Sequence, residues 1–360
     1  MIRRSAVALS ILASLASAAV AETAATNAAA VRSELRQRGV SWVAAGPVTR
    51  SDLEMVAELG ADWIVQTPFG WQSSVASPVV RLVTSGHVLW GETDEGLEVT
   101  TRLARELGIK TLLKPHIWLT RSSGDEWRGQ IAMRTDADWE RWFASYRAFI
   151  LHYAKLAQRL GIEALAVGTE LHATAIAKPE RWRRLIGEIR ELYDGELTYA
   201  ANWYREYEEI PFWDALDLIG VQAYFPLSDK SSPSSAELED GWRTHKEALA
   251  QMSRRLGKPI LFTEIGYRSV PTAATRPWEW PRRGETGAVD LELQSRAYEA
   301  FFRTFWSEEW FAGAYFWKWF PKHAASGGAG HRGFTPQNKP AEAVLRRWYA
   351  PAATSATTPR

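Results

Sequence analysis

Residues 258–269 read KPILFTEIGYRS. The run Pro259–Phe262 is what a strand buried on both faces produces, and a loop begins at Gly266. Between them stands Glu264, a charge at the end of a buried strand, which is costly unless it is paired or used. Short apolar runs of the same kind, bounded by turn residues, recur along the chain. They are Gly39–Val43, Trp63–Thr67, Lys110–His116, Glu163–Thr169, Leu197–Asn202, Asp217–Tyr224 and Gly313–Trp317, with Pro259–Glu264 seventh in order.

Most gaps between these runs hold an amphipathic pattern of helical length. The predicted helices are Ser51–Leu59, Leu97–Leu107, Ala137–Leu160, Glu180–Tyr193, Ala236–Leu256, Leu291–Trp306 and a last one, Ala341–Tyr349. Strand–helix alternation repeated about eight times in roughly 310 residues predicts an α/β fold, a single-domain (β/α)8 TIM barrel. A doubly wound open sheet is the alternative, but its Gly-rich first turn is missing from WVAAGPVTRSD, residues 42–52. The segment SGGAGHRGF, 326–334, has no P-loop spacing and reads as a loop after the eighth strand.

The 360 residues are 46% hydrophobic with a net charge of +1, so no basic surface points to nucleic acid or an anionic membrane as partner. With no Cys there is no disulfide, thiolate nucleophile or Cys-ligated metal. Arg3 and Arg4, an apolar stretch from Ala6 to Val20 and the Ala19-Val20-Ala21 site predict a signal peptide over 1–21 and a secreted or periplasmic protein. The expected division is signal peptide 1–21, linker 22–36, catalytic barrel 37–350 and disordered tail 351–360, in a monomer with no membrane contact after cleavage.

In such barrels the chemistry sits at the C-terminal ends of the strands. Counting by twos places Ala164, Ala166, Gly168 and Glu170 on one face of the fourth strand, with Leu165 and Val167 on the other. The same count places Ile260, Phe262 and Glu264 together on the seventh strand, Gln222 and Tyr224 on the sixth, and Lys114 and His116 on the third; Asn202 ends the fifth. Two glutamates therefore project from facing strands. Paired carboxylates in one pocket are the parts of a glycosidase. The alternative for each is a structural ion pair with Lys114, Lys318 or Arg268. Of the 19 Trp, the loops after these strands carry Trp71, Trp118, Trp127, Trp203, Trp278, Trp280 and Trp319. Indole faces stack on the C–H faces of pyranose rings, so an aromatic cleft suits a polysaccharide or oligosaccharide, with Trp203 and Trp278 among the candidate platforms.

The stretches LLKPHIWL, VGTEL, ANWY, FWDALDLIGVQAYFPL, ILFTEIGYRS, RPWEW, DLELQ and YFWKWF resemble glycoside hydrolase family 113, within the clan A retaining hydrolases, over about residues 63–349. The resemblance implies a β-1,4-mannanase with Glu170 as acid/base and Glu264 as nucleophile. It further implies that Tyr224 hydrogen-bonds Glu264, that Trp317 floors the sugar under attack, and that His116, Asn202 and Trp118 contact sugar hydroxyls. The clan's Asn before the acid/base is Thr169 here, and Asn202 is the candidate to replace its contact with the sugar 2-OH. Double displacement needs the two carboxyls about 5–5.5 Å apart. No cofactor is called for, and the scattered His residues offer no zinc spacing, so no metal is expected. A glycosidase for another β-linked glycan, and a non-catalytic glycan-binding barrel, remain open on these residues.

Overall fold

The computed structural model describes residues 36–86, 88–122, 124–280 and 284–350. The predicted signal peptide, the linker apart from Arg36, and the tail lie outside them. The strands are β1 Gln37–Trp42, β2 Trp63–Gln66, β3 Phe69–Gln72, β4 Arg81–Leu82, β5 Lys110–Leu113, β6 His116–Leu119, β7 Ala164–Thr169, β8 Glu196–Asn202, β9 Leu218–Gln222, β10 Ile260–Ile265 and β11 Phe311–Trp319. Eight of them close in the order β1-β11-β10-β9-β8-β7-β5-β2, every neighbouring pair parallel. Closure decides for the TIM barrel over the open sheet.

Alternation along the strands divides the core in two. Trp63, Val65, Leu112, Ala164, Leu218, Leu261 and Tyr315 fill the barrel. Ile64, Leu113, Leu165, Val167, Ile219, Val221 and Phe262 face the helices instead. The helix Asp136–Leu160 shows how the outer layer is built. Thr135 Oγ1 caps its start by accepting from Asp138 N at 3.1 Å, and Gly161 ends it at φ 62°. Its Trp142, Tyr146, Phe149 and Tyr153, spaced three and four apart, are buried against the barrel. Each such burial is worth about 1.5–3 kcal/mol. Between β8 and β9 the connecting helix shrinks to Glu206–Glu209. The short helix His172–Ala177, just after β7, carries no sequence signal long enough to predict it.

Lys110–His116 is not one strand. It breaks at Pro115, which has no N–H to give a ladder, and resumes as β6 in a separate sheet of order β4-β3-β6. In that sheet Phe69 pairs with His116 and Trp71 with Trp118. It forms a wall above the third-strand end of the barrel.

The two strands that carry the glutamates both break period two. On β10, Phe262 pairs with Val221 but Glu264 with the next residue, Gln222, so Thr263 is an extra residue. Ile260 and Phe262 pack outward, and the bulge turns Glu264 inward, not alongside them as counting by twos predicts. On β7 the register slips between Ala166 and Thr169. A Cβ on Gly168 would meet Tyr199 and Trp182, in the helix-facing layer, so Gly168 does not share the face of Ala164. Glu170 then sits at φ 52°, uncommon for a non-glycine residue.

Candidate active site

Both glutamates open onto one cavity of about 630 Å³ at the C-terminal mouth of the barrel. All nine candidates from the sequence line it: His116, Trp118, Glu170, Asn202, Trp203, Tyr224, Glu264, Trp278 and Trp317. Phe69, Gln222, Tyr204, Trp280, Phe334 and the segment 124–128, with Trp127 and Arg128, complete its walls.

Glu264 is 5% exposed. Its Oε2 accepts from Lys114 Nζ at 2.7 Å, and its Oε1 accepts from the Tyr224 hydroxyl. Lys114 is fully buried and spends its other donors on Gln222 Oε1 at 2.7 Å and the Thr263 carbonyl at 3.1 Å. Burial pulls the Lys114 ammonium down from its ordinary value, and the Glu264 charge pulls it back up. Burial and the same Glu264 charge hold the Tyr224 phenol well above its ordinary value, so it stays a donor. Both partners thus donate to the Glu264 carboxyl, one to each oxygen.

Glu170 has two donors of its own. Asn202 Nδ2 reaches Oε1 at 2.7 Å, and Arg128 Nη1 reaches Oε2 at 2.5 Å. Arg128 belongs to the loop above β6 and is anchored by Nε on the Ile117 carbonyl at 3.0 Å. Its place in a loop without periodicity left no signal for it in the sequence. The structural pairing weighed for the two glutamates therefore exists, and inside the cavity. Glu264 takes Lys114, whereas Arg268 pairs with Glu285, and Lys318 lies over the rings of Trp317, Trp280 and Phe320 at 5.0–5.4 Å.

Thr169, where the clan carries Asn, gives its hydroxyl to the Pro115 carbonyl at 3.0 Å and does not line the cavity. His116 Nε2 and Trp317 Nε1 are buried without a hydrogen-bond partner among the described residues. Burial, with the Lys114 and Arg128 charges, holds the His116 imidazole well below its ordinary value and hence neutral. These atoms are polar and desolvated, and they belong to residues that line the cavity.

Of the seven loop Trp, five line the cavity: Trp118, Trp127, Trp203, Trp278 and Trp280. Trp203 and Trp278 stack at 5.0 Å and 25°, and Trp118 and Trp280 are half-exposed or more. Trp319 is instead fully buried on β11 in the helix-facing core, and Trp71 lies in β3 away from the cavity. Among the described residues no group of three or more His, Asp or Glu is placed to hold a metal ion. No helix there is long and apolar enough to cross a membrane.

The model of Glycoside Hydrolase Family 113 matches residues 37–339. No curated protein matches. Among solved structures, a family 113 β-mannanase from Alicyclobacillus acidocaldarius is 31% identical with a TM-score of 0.73, covering 87% of this chain and 97% of that one. A family 113 β-1,4-mannanase is 25% identical with a TM-score of 0.74, covering 87% and 98%. A β-glucuronidase from Ruminococcus gnavus, 13% identical with a TM-score of 0.57 over 87% of this chain and 50% of its own, shares the fold.

Proposed function

The chain belongs to glycoside hydrolase family 113, and from that membership we propose a retaining β-1,4-mannanase with Glu170 as acid/base and Glu264 as nucleophile. The observation that carries it is the pair of buried carboxylates on facing strands of one aromatic cavity, each held by a different set of donors.

In the first step Glu264 attacks the anomeric carbon while Glu170 gives a proton to the departing glycosidic oxygen. The bond to that oxygen breaks as the glycosyl-enzyme ester forms. Glu170, now ionised, takes a proton from water, which attacks the same carbon and frees Glu264. The donors fit these roles. Lys114 and Tyr224 each donate to one Glu264 oxygen and fix its approach. With both oxygens accepting, from Asn202 and Arg128, Glu170 is arranged as the base of the second step. Delivering a proton in the first step requires one of these oxygens to be released by its donor. Trp317 serves as the floor under the reacting sugar. The unpartnered His116 Nε2 and Trp317 Nε1 supply contacts to its hydroxyls, with Asn202 and Trp118 beside them. Trp203 and Trp278 are the platform farther along the chain of sugars.

The relatives named as β-mannanases support mannan as the substrate. The test is product analysis with β-1,4-manno-, gluco- and xylo-oligosaccharides, wild type beside Glu264→Gln. Cleavage of mannan alone, lost in the variant, is expected. Cleavage of another glycan would overturn the substrate, and binding without cleavage would leave a glycan-binding barrel. Export belongs to the same proposal: the mature protein recovered outside the cytoplasm should begin at Glu22.

A further inference from the structure

Behind the cavity wall lies a carboxyl group that the mechanism above does not use. Glu206 is fully buried and does not line the cavity. Its Oε2 accepts from the backbone N–H of Asn202 at 2.7 Å. Its Oε1 accepts from the Tyr199 hydroxyl at 2.6 Å. That hydroxyl in turn accepts from the backbone N–H of Leu171 at 2.7 Å. The two backbone positions so held are the residue after Glu170 and the residue whose amide donates to Glu170.

This arrangement meets a need specific to Glu170. The residue sits at φ 52°, off the end of β7, a strained conformation that persists only where the surroundings enforce it. Its own N–H is fixed by the Ala200 carbonyl at 2.9 Å, and the next N–H by the Tyr199 hydroxyl. Asn202 ends β8, and its Oδ1 accepts from Tyr204 N at 2.8 Å. Its side chain is therefore aimed by a turn that the Glu206 carboxyl closes from beneath. The connection between β8 and β9 holds the four-residue helix Glu206–Glu209 and a 3-10 turn, Trp213–Ala215, where a longer helix would stand. A buried carboxyl at its first position replaces the rigidity that a longer helix would give.

We propose that Glu206, acting through Tyr199 and the Asn202 backbone, is the positioning residue that aims Glu170 for proton transfer. The inference rests on the acid/base assignment of Glu170. A buried carboxyl with no other task costs several kcal/mol to desolvate, and both of its oxygens are committed to the flanks of one site residue. Glutamine can keep both contacts with one of them reversed: its carbonyl can accept from Asn202 N, and its amide can donate to Tyr199 Oη, which keeps a lone pair for Leu171 N.

The test compares a manno-oligosaccharide, whose departing oxygen needs a proton, with a 2,4-dinitrophenyl β-mannobioside, whose leaving group departs without one. The variants are Glu206→Ala, Glu206→Gln, Tyr199→Phe and, as reference, Glu170→Ala. For the oligosaccharide, kcat/KM should fall about 10- to 100-fold in Glu206→Ala and Tyr199→Phe, part of the ~10²–10⁴ that general acid–base catalysis supplies. For the dinitrophenyl glycoside it should stay within about threefold, and Glu206→Gln should retain most activity on both. Should Glu206→Ala not fold, Tyr199→Phe and Glu206→Gln carry the same comparison. An equal fall on both substrates, or no fall on either, would overturn the inference. A split seen in Glu170→Ala alone would overturn only the role of Glu206. No split in Glu170→Ala would overturn the acid/base reading on which it rests.

Discussion

Glu264 ends a buried strand because two donors wait for it there. Lys114 and Tyr224 are themselves buried, so the three groups stand or fall together. A buried pair contributes little net stability, but breaking it strands a charge in the interior, at about 3–5 kcal/mol. Lys114→Met should therefore lower unfolding stability by about that much in urea titration, and Glu264→Gln, which keeps one acceptor oxygen for two donors and leaves the buried Lys114 ammonium without its counter-charge, should destabilise as well. Glu264→Gln should lose roughly 10³-fold or more in kcat, the loss expected if Glu264 is the proposed nucleophile. Asn202→Ala should lower turnover on oligosaccharides by about 10²-fold, since it removes a donor to Glu170, the proposed acid/base.

The strands show what could be read in advance and what could not. Apolar runs and turn residues marked all eight barrel strands, because a strand buried on both faces has to be apolar wherever it occurs. They also carried the nine candidate residues to the mouth of the barrel. Period two failed where the chemistry lies. The extra residue Thr263 and the slip before Thr169 leave no trace in hydrophobicity, since both faces of these strands are apolar or small. Pro115 was visible, but its consequence, a second sheet through β3 and β6, depends on a partner distant in sequence. Glu206 was one acid among several in REYEEI, residues 205–210, and Arg128 one base in a loop; burial sets the first apart and the contact with Glu170 the second. The wall that β6 contributes can be tested by itself. Trp118 is half-exposed there, so Trp118→Ala should raise KM for oligosaccharides about two- to tenfold with kcat nearly unchanged, the ~0.5–1.5 kcal/mol of an aromatic face contact.

For the molecule as a whole, the buried carboxyl beneath the site leaves a signature in pH. Burial pushes Glu206 up from 4.5 to about 8, against the pull of Tyr199 and the Asn202 N–H. A group whose folded value lies above its unfolded one stabilises the protein fully below the unfolded value. That contribution fades as pH rises and is gone once pH passes the folded value. For Glu206 the window runs from about 4.5 to about 8. Buried histidines such as His116 titrate in the same range with the opposite sign, so the total curve mixes several groups. The difference between wild type and Glu206→Gln isolates one. Measured by denaturant at pH 5 and pH 8, the wild type should lose about 2–4 kcal/mol relative to the variant over that interval. A constant difference would mean that Glu206 is ionised throughout.

Retention through a glycosyl ester on Glu264 is tested by trapping that ester. The mature protein would be incubated with 2-deoxy-2-fluoro-β-mannosyl fluoride, which forms the intermediate readily and releases it slowly, and then digested for peptide mass mapping. A single sugar adduct on the peptide carrying Glu264, absent in Glu264→Gln, is the expected result. An adduct on any other carboxylate, or turnover with inverted anomeric configuration and no adduct, would contradict it.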